Sequence, residues 1–198
     1  MYRSVPIHVN SLLGLCLAIS AVVHPSLAAN NPTPQETIEV VDHEKAAEVK
    51  GVYMYSVSTF VTWPDSKRTE FRIGVIENEL LLKQLTKIAS RRNLHDKPIK
   101  VVGYSITDEV VKDECDIVYF ASSLTSSAVS KMISSFGDRP ILIFTDRSPA
   151  PSNSIVNFVI ENSGIVFELD NKEAQKRKLA MDAKLLRQGR VMQSSSQP

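Results

Sequence analysis

Short apolar runs alternate with segments of helical periodicity through the middle of this chain, and this alternation limits the folds open to it. Each run carries at most one charged residue, which is typical of strands covered on both faces. Strands that alternate with helical crossovers form a parallel sheet. The sequence therefore predicts a single α/β domain, with a mixed, mostly parallel sheet and helices on both faces. The predicted strands are residues 71–76, 98–104, 116–120 and 140–145, and the predicted helices between them are residues 80–88 and 123–135.

The pattern changes in the last quarter of the chain. Residues 155–160 and 165–169 are β-rich runs separated by an Asn-Ser-Gly turn, which predicts a C-terminal β-hairpin. A hairpin makes the sheet mixed. Asp170 is a predicted N-cap for one last helix, from residue 171 to about residue 188, and Gly189 is its predicted C-cap.

One more helix is predicted before the first strand. The sequence KGVYMYSVSTFVTWP covers residues 50–64, and Pro64 ends the helix because it disfavours the helical conformation at the preceding residue. Residues 29–42 are polar and contain prolines, so we expect a flexible leader, with Asp42 as the N-cap of this helix. The predicted apolar stripe of the helix consists of Val49, Tyr53, Val57 and Phe60.

Residues 1–28 are typical of a cleaved secretory signal peptide. Arg3 is the formal charge of this segment, residues 11–23 are apolar, and Ser26-Leu27-Ala28 gives small residues at the positions that precede cleavage. The apolar run is shorter than the roughly 20 residues of a membrane-spanning helix, although an uncleaved anchor is the alternative. The mature chain is then periplasmic, with an α/β domain over residues 43–192 and a polar tail over residues 193–198.

Charge and cysteine content exclude some classes of protein. Loss of the signal peptide leaves 22 basic and 22 acidic residues, without the basic excess of nucleic-acid-binding proteins. Cys115 is then the single cysteine, so no internal disulfide forms. It begins an apolar run and is predicted to be a buried strand thiol; the alternatives are an intermolecular disulfide and a reactive thiol.

No catalytic or metal-binding motif is apparent. The mature chain has two histidines, His43 and His95, and neither has partners at the spacing of a metal site. His95 and Asp96 are predicted to lie in a solvated loop. We therefore expect a binding protein without catalytic residues, metal or other cofactors, and with its oligomeric state, including a homodimer, left open.

Two groups of residues are candidates for binding. Residues 172–190 contain seven Lys or Arg and two acidic residues, and Lys184, Arg187 and Arg190 cluster towards the end of the predicted last helix. Such cations stabilise the helix dipole and solvate an exposed face, or alternatively bind an anion or an acidic partner surface. Tyr55 and Trp63 lie outside the predicted core stripe, so they either cap the sheet edge or anchor an interface.

The motif K-x-x-Y-x-Y-x-x-x-x-F-V-x-W-P over residues 50–64 resembles the opening helix of the YfiR-like family of small bacterial periplasmic proteins. The resemblance covers roughly residues 44–192, including the Cys115-led strand, residues 140–146, the hairpin and Lys184-Leu185-Leu186. Its motifs are mostly hydrophobic, and their order and spacing carry it. This chain has Met-Asp-Ala before Lys184 where the family more often has Ile-Ser-Ser, and it lacks the disulfides of some members.

The resemblance implies an α/β fold, no established catalytic residues and a regulatory role. The best-known member binds the periplasmic sensor domain of an inner-membrane diguanylate cyclase and represses synthesis of cyclic-di-GMP, which controls biofilm formation. An OmpA-like outer-membrane lipoprotein relieves the repression by sequestering the regulator. The alternative function is a periplasmic binding protein for a small anionic metabolite held by the basic helix end, and a hydrolase is a third class.

Overall fold

A computed structural model describes residues 34–64, 68–105, 114–161 and 164–192, with side chains described from residue 43 onward. The predicted signal peptide, the start of the leader and the polar tail lie outside the described residues. The helices of the described part are α1 (Pro34–Thr59), α2 (Glu79–Ala89), α3 (Ser126–Ser135), α4 (Asn171–Lys176) and α5 (Ala183–Gln188). Its strands are β1 (Val61–Thr62), β2 (Phe71–Ile76), β3 (Asn93–Leu94), β4 (Lys97–Tyr104), β5 (Ile117–Phe120), β6 (Leu142–Thr145), β7 (Val156–Glu161), β8 (Gly164–Leu169), β9 (Ala180–Met181) and β10 (Arg190–Val191).

The predicted α/β class is confirmed. The main sheet has the strand order β10-β8-β7-β6-β5-β2-β4-β3, and the five strands from β4 to β7 in this order are mutually parallel. The predicted hairpin is confirmed as the antiparallel pair β7–β8. The short strand β10 extends the sheet parallel to β8, and β3 pairs with β4 in antiparallel orientation.

The order of the parallel strands fixes where helices lie. Helix α2 connects β2 to β4 on one side of β2, whereas α3 connects β5 to β6 in the opposite direction. Right-handed crossovers that run in opposite directions place their helices on opposite faces of the sheet. The strands between them are buried throughout: β5 and β6 have no exposed residue, as their apolar sequences predict.

The first helix differs from the prediction in its start. Helix α1 begins at Pro34, so the predicted leader is wrong over residues 34–42 and Asp42 is inside the helix rather than its N-cap. A proline is well tolerated at the first helical position, where its missing N–H would have no intrahelical partner. Once the later turns are held by packing, adding further turns costs little, because helix growth is cooperative.

The buried face of α1 is also rotated from the predicted stripe. Met54 and Val57 are buried at its centre, whereas Val49, Tyr53 and Phe60 are only half-buried. Gly51 faces α2, where Gln84 and Ile88 atoms lie 3.5 Å from the position that a Cβ would occupy. Small residues on this face allow the two helices to approach closely, which hydrophobic periodicity does not reveal. The buried positions of this face are Ala47, Lys50, Gly51, Met54, Val57 and Ser58.

The single last helix predicted over residues 171–188 is wrong, because two short helices flank an extended segment. The predicted N-cap is confirmed: the Asp170 side chain accepts a hydrogen bond from the Glu173 N–H at 2.9 Å. Helix α4 then ends before Lys178, which has a positive φ of 60°. Strand β9 pairs with β1 in antiparallel register, and Asp182 caps α5. The pairing with the exit of α1 stabilises an extended conformation that local periodicity cannot predict.

Gly189 ends α5 as predicted. Its N–H donates to the Leu185 carbonyl, but its conformation is extended rather than left-handed. A Cβ at this position would overlap the side chains of Leu169 and Phe167. Glycine is required here because the chain passes directly over the hairpin before it forms β10.

Candidate functional site

Cavities lie at both ends of the parallel strands, here called the amino edge and the carboxyl edge of the sheet. The amino-edge pocket is a cavity of about 720 Å³ where β2, β5 and β6 begin. The carboxyl-edge crevice is a cavity of about 330 Å³ beyond the ends of the same strands. Both volumes fall within the roughly 300–1,000 Å³ of small-molecule sites.

Three aromatic rings form one wall of the amino-edge pocket. The half-buried Trp63 packs edge-on against Phe71, with 5.1 Å between ring centroids, and its Nε1 donates to the Asp116 backbone carbonyl at 3.2 Å. The His95 ring lies 5.7 Å from both of the other rings, and its Nε2 hydrogen-bonds to the Ser58 carbonyl at 3.1 Å. His95 and Asp96 are exposed in the turn between β3 and β4, as predicted for a solvated loop, and the His95 ring also packs on the domain.

Charged groups surround these rings. Asp116 is buried and accepts hydrogen bonds from the Arg68 guanidinium and, at 2.8 Å, from the Arg72 backbone N–H. Burial raises the pKa of the Asp116 carboxyl above its ordinary value, although the Arg72 N–H and the charges of Arg68, Lys97 and Arg72 each lower it. The Lys97 ammonium also lies 6.0 Å from the Phe71 ring centroid.

Cys115 borders the same pocket. It is a free cysteine and is buried, as predicted, but it lies two residues before β5 rather than in the strand, and its Sγ lies 3.9 Å from the Tyr104 hydroxyl. The Cys115 thiol is therefore packed inside the domain.

The carboxyl-edge crevice lies at the point where the strand order reverses. Strand β2 is followed by β4 on one side and, later in the chain, by β5 on the other. In open α/β sheets, ligands bind in the crevice outside the carboxyl ends of the strands at such a switch point. The lining residues come from one face of α1, from the segments that follow β2 and β5, and from the residue that follows β6: His43, Ala46, Ala47, Lys50, Glu77, Asn78, Glu79, Leu80, Ala121, Ser122, Ser123 and Asp146.

A buried ion pair forms the floor of this crevice. The Lys50 ammonium contacts Asp146 Oδ2, and each residue is 8% exposed. The Tyr119 hydroxyl donates to the same Oδ2 at 3.0 Å, and Asn78 Nδ2 donates to the Tyr119 hydroxyl at 3.4 Å. Burial first, and then the Asp146 charge and its hydrogen bond, raise the pKa of Tyr119 well above its ordinary value. The phenol therefore stays protonated and holds the carboxylate in place.

The residues predicted for binding lie in separate places. The Tyr55 hydroxyl donates to the Asn93 carbonyl at 3.1 Å, which ties α1 to β3, and Trp63 lines the amino-edge pocket. Lys184 and Arg187 are exposed on α5, and Arg190 is in β10, where it pairs with Glu161. Trp63 and α5 extend from opposite ends of the β1–β9 ladder, so Trp63 and the basic residues of α5 do not form one site.

Part of the C-terminal positive charge is structural. Arg177 is 3% exposed, pairs with Glu173 at 3.1 Å and donates to the Gly137 carbonyl at 2.7 Å, which fastens α4 to the end of α3. Lys176 pairs with the same carboxylate at 3.4 Å. Burial removes Arg177 from the set of cations that can meet a partner, whereas the Lys176 side chain stays 58% exposed.

The sequence interpretation missed the crevice cluster. Lys50 lies on the inner face of an apolar helix, and Asp146 directly follows an apolar strand. A charged residue at the carboxyl end of a buried parallel strand is the pattern that would have indicated it. The partner of that residue was not predictable, because 96 residues separate Lys50 from Asp146 in the chain.

Within the described ranges, no cluster of three or more His, Cys, Asp or Glu side chains is arranged to hold a metal ion. No helix among those residues is both long enough and apolar enough to cross a membrane.

Comparison with known proteins identifies the family. No individually curated protein matches the sequence. The model of one protein family, described as YfiR/HmsC-like, matches residues 47–190, which run from the inner face of α1 to β10. The chain therefore belongs to the YfiR/HmsC-like family.

Proposed function

We propose that the mature chain is a periplasmic regulator that represses a membrane-bound diguanylate cyclase by binding the cyclase's periplasmic sensor domain. The family match carries this proposal, because it spans the whole sheet rather than one motif. The YfiR/HmsC-like family is a regulatory, periplasmic family. Export depends on the signal peptide predicted over residues 1–28, and an OmpA-like outer-membrane lipoprotein is a second proposed partner.

Repression follows from differential affinity. A protein that binds only the inactive form of the cyclase shifts the cyclase population towards that form, and its removal releases the shift. To change the cyclase from mostly active to mostly inactive, the regulator must bind the inactive form about 10⁴-fold more tightly than the active form. Surface residues are sufficient for this mechanism.

The exposed cations of α5 support a docking surface for an acidic partner. Lys184 and Arg187 are three residues apart on the helix and both are exposed. Arg190 follows them but already pairs with Glu161. Tyr55 and Trp63 are engaged in hydrogen bonds within the domain, so we assign them a smaller part in docking.

The proposal is tested by measuring cyclic-di-GMP in strains that carry the wild-type gene, a deletion, or the double variant Lys184→Glu/Arg187→Glu. Deletion should raise the nucleotide level and biofilm mass. The double variant should reproduce the deletion while its circular dichroism spectrum stays that of wild type, since both side chains are exposed. The matched control is Lys83→Glu/Lys131→Glu, which reverses two exposed cations on α2 and α3; it should leave the nucleotide at the wild-type level.

An unchanged nucleotide level in the deletion strain under several growth conditions would contradict repression. A rise in the deletion strain without a rise in the double variant would retain the regulator and reject α5 as its docking surface. The anionic-metabolite alternative predicts saturable anion binding that the same double variant abolishes, without any change in cyclic-di-GMP.

A further inference from the structure

We propose that the β3 end of the main sheet binds the headgroups of anionic phospholipids at a membrane surface. The binding surface is the basic patch, which consists of Lys87, Arg91, Arg92 and Lys100. This inference depends neither on the cyclase nor on the α5 docking surface proposed above.

The fold brings the four cations of the basic patch together. Lys87 is in the last turn of α2, and Arg91 and Arg92 lie between the end of that helix and the start of β3. Strand β3 then pairs in antiparallel orientation with the first two residues of β4. Arg92, directly before β3, therefore lies close to Lys100, near the start of β4. These elements form the outermost part of the sheet at this end.

The positive charge of the basic patch is not compensated by nearby acids. Residues 87–100 contain five Lys or Arg and one acidic residue. The four side chains of the patch are exposed, and none forms an ion pair or a hydrogen bond within the part of the chain that the structure describes. Glu70, which precedes β2, is already paired with Arg72 at 2.8 Å. The patch therefore has a positive electrostatic potential.

Structural roles account for only part of this charge. Lys87 complements the negative C-terminal end of the α2 dipole. Lys100 is on the edge strand β4, where a lysine discourages pairing with strands of other molecules. Arg91 and Arg92 serve neither role, since they follow the helix and precede the strand. These two arginines therefore give the sharpest test of binding.

The position of the patch favours a flat polyanion over a small ligand. None of its four residues lines either cavity, whereas small molecules bind mostly in concave sites. An anionic lipid surface contacts several exposed cations at once. Each Lys or Arg close to such a surface strengthens binding about fivefold.

The side chains around the patch favour lipid headgroups over an acidic protein. Stable protein interfaces depend on buried aromatic and apolar side chains at their centre. The exposed large apolar residues of the described chain all lie outside residues 87–100: Val52, Leu80, Ile160 and Val191. Binding through the patch is therefore electrostatic, without insertion of apolar side chains into the bilayer, and it weakens as salt concentration rises.

The strand order separates the patch from the proposed docking surface. Strand β3 is at one end of the main sheet, and β10, which follows α5, is at the other. A chain held on a membrane by the basic patch therefore keeps α5 accessible to a protein partner.

The experiment is co-sedimentation of the purified mature protein with vesicles made of equal parts phosphatidylglycerol and phosphatidylcholine. Vesicles of phosphatidylcholine alone are the comparator. The protein should sediment with the anionic vesicles at low ionic strength, dissociate as salt is added, and stay in solution with the neutral vesicles. The variant Arg91→Gln/Arg92→Gln should lower the partition coefficient about 10- to 30-fold, because two cations are lost.

A control with the same change of charge separates the patch from general electrostatics. Lys45 and Lys131 are exposed on α1 and α3, so Lys45→Gln/Lys131→Gln should bind the anionic vesicles as wild type does. Unchanged thermal midpoints in both variants exclude unfolding as the cause of any loss.

Three results would overturn the proposal. The first is wild-type protein that stays in solution with anionic vesicles at low ionic strength, and the second is an equal loss of binding in both double variants. The third is binding to poly-L-glutamate without binding to the anionic vesicles, which would indicate an acidic protein as the partner. Millimolar inorganic phosphate should leave vesicle binding unchanged at fixed ionic strength, and displacement by it would assign the patch to the free anion instead.

Discussion

The two edges of the parallel sheet hold their charges in different ways. At the carboxyl edge, Lys50 and Asp146 form a buried pair with hydrogen bonds from neighbouring side chains. At the amino edge, the Arg68 side chain is 28% exposed and pairs with the buried Asp116, beside an aromatic wall. The charges at the carboxyl edge are therefore stabilised by a fixed network of hydrogen bonds, whereas water also stabilises the charges at the amino edge.

Helix α1 connects the two edges. Lys50, at the middle of the helix, reaches the carboxyl-edge crevice, and Trp63, just after its end, lies in the amino-edge pocket. The helix therefore runs antiparallel to the strands it covers. Substitutions of Lys50 and of Trp63 therefore test the two edges separately.

The largest expected effect is at the carboxyl edge. Lys50→Ala should lower the free energy of unfolding by about 3–5 kcal/mol, because it leaves the Asp146 carboxylate buried without its counter-charge. Urea denaturation followed by circular dichroism measures this loss.

The matched control removes both charges. Lys50→Met/Asp146→Leu/Tyr119→Phe, which also removes the buried hydroxyl that donates to Asp146, should recover stability to within about 1 kcal/mol of wild type, since apolar residues often replace a buried pair at little cost. If Lys50→Ala lost no more than about 1 kcal/mol, as exposed pairs do, the contrast between the two edges would not hold.

A smaller loss is expected at the amino edge. Trp63→Ala should lower the free energy of unfolding by about 2 kcal/mol, below the roughly 3–5 kcal/mol of a fully buried aromatic ring, because Trp63 is half-buried. Trp63→Phe should lose less, since it keeps the ring contact with Phe71 and loses only the hydrogen bond to Asp116. A thermal midpoint unchanged in Trp63→Ala would show that the ring does not stabilise the domain and would restore it as a surface anchor.

The smallest expected effect is a pH dependence at Asp116. Its pKa in the folded protein is raised by burial, so the folded state binds the proton more tightly than the unfolded state does. The resulting stabilisation is fully present below the ordinary pKa of about 3.9 and is lost as pH rises through the raised value. The stability of wild type relative to Asp116→Asn should therefore increase as pH is lowered from 7 towards about 4.

Urea denaturation at several pH values measures that difference. The exposed Glu48→Gln serves as the charge-matched control, and its difference from wild type should vary less with pH. A difference for Asp116→Asn that decreased towards low pH would mean that Arg68 outweighs burial at this carboxyl.

Much of the sheet was predictable from the sequence. The predicted strand at residues 71–76 coincides with β2, and no end of a hairpin strand is more than one residue from its predicted position. Buried parallel strands require continuous apolar runs whatever their neighbours are, so their sequences are sufficient to locate them. Trp63 was singled out for a different reason, since it lies outside the predicted apolar stripe; the predicted helix end at Pro64 is wrong, because α1 ends at Thr59 and β1 precedes Trp63.

The sequence by itself determined the α/β class, the strands β2 and β4 to β8, and the burial of Cys115, because these follow from local apolar patterns. The tertiary structure alone decided which face of α1 is buried, since small residues such as Gly51 face a neighbouring helix. It also decided the break between α4 and α5, where pairing of β9 with β1 outweighs helical propensity. Above all, it brought Lys50 to Asp146 across 96 residues of chain, because the packing of α1 over the sheet sets that contact and no local pattern records it.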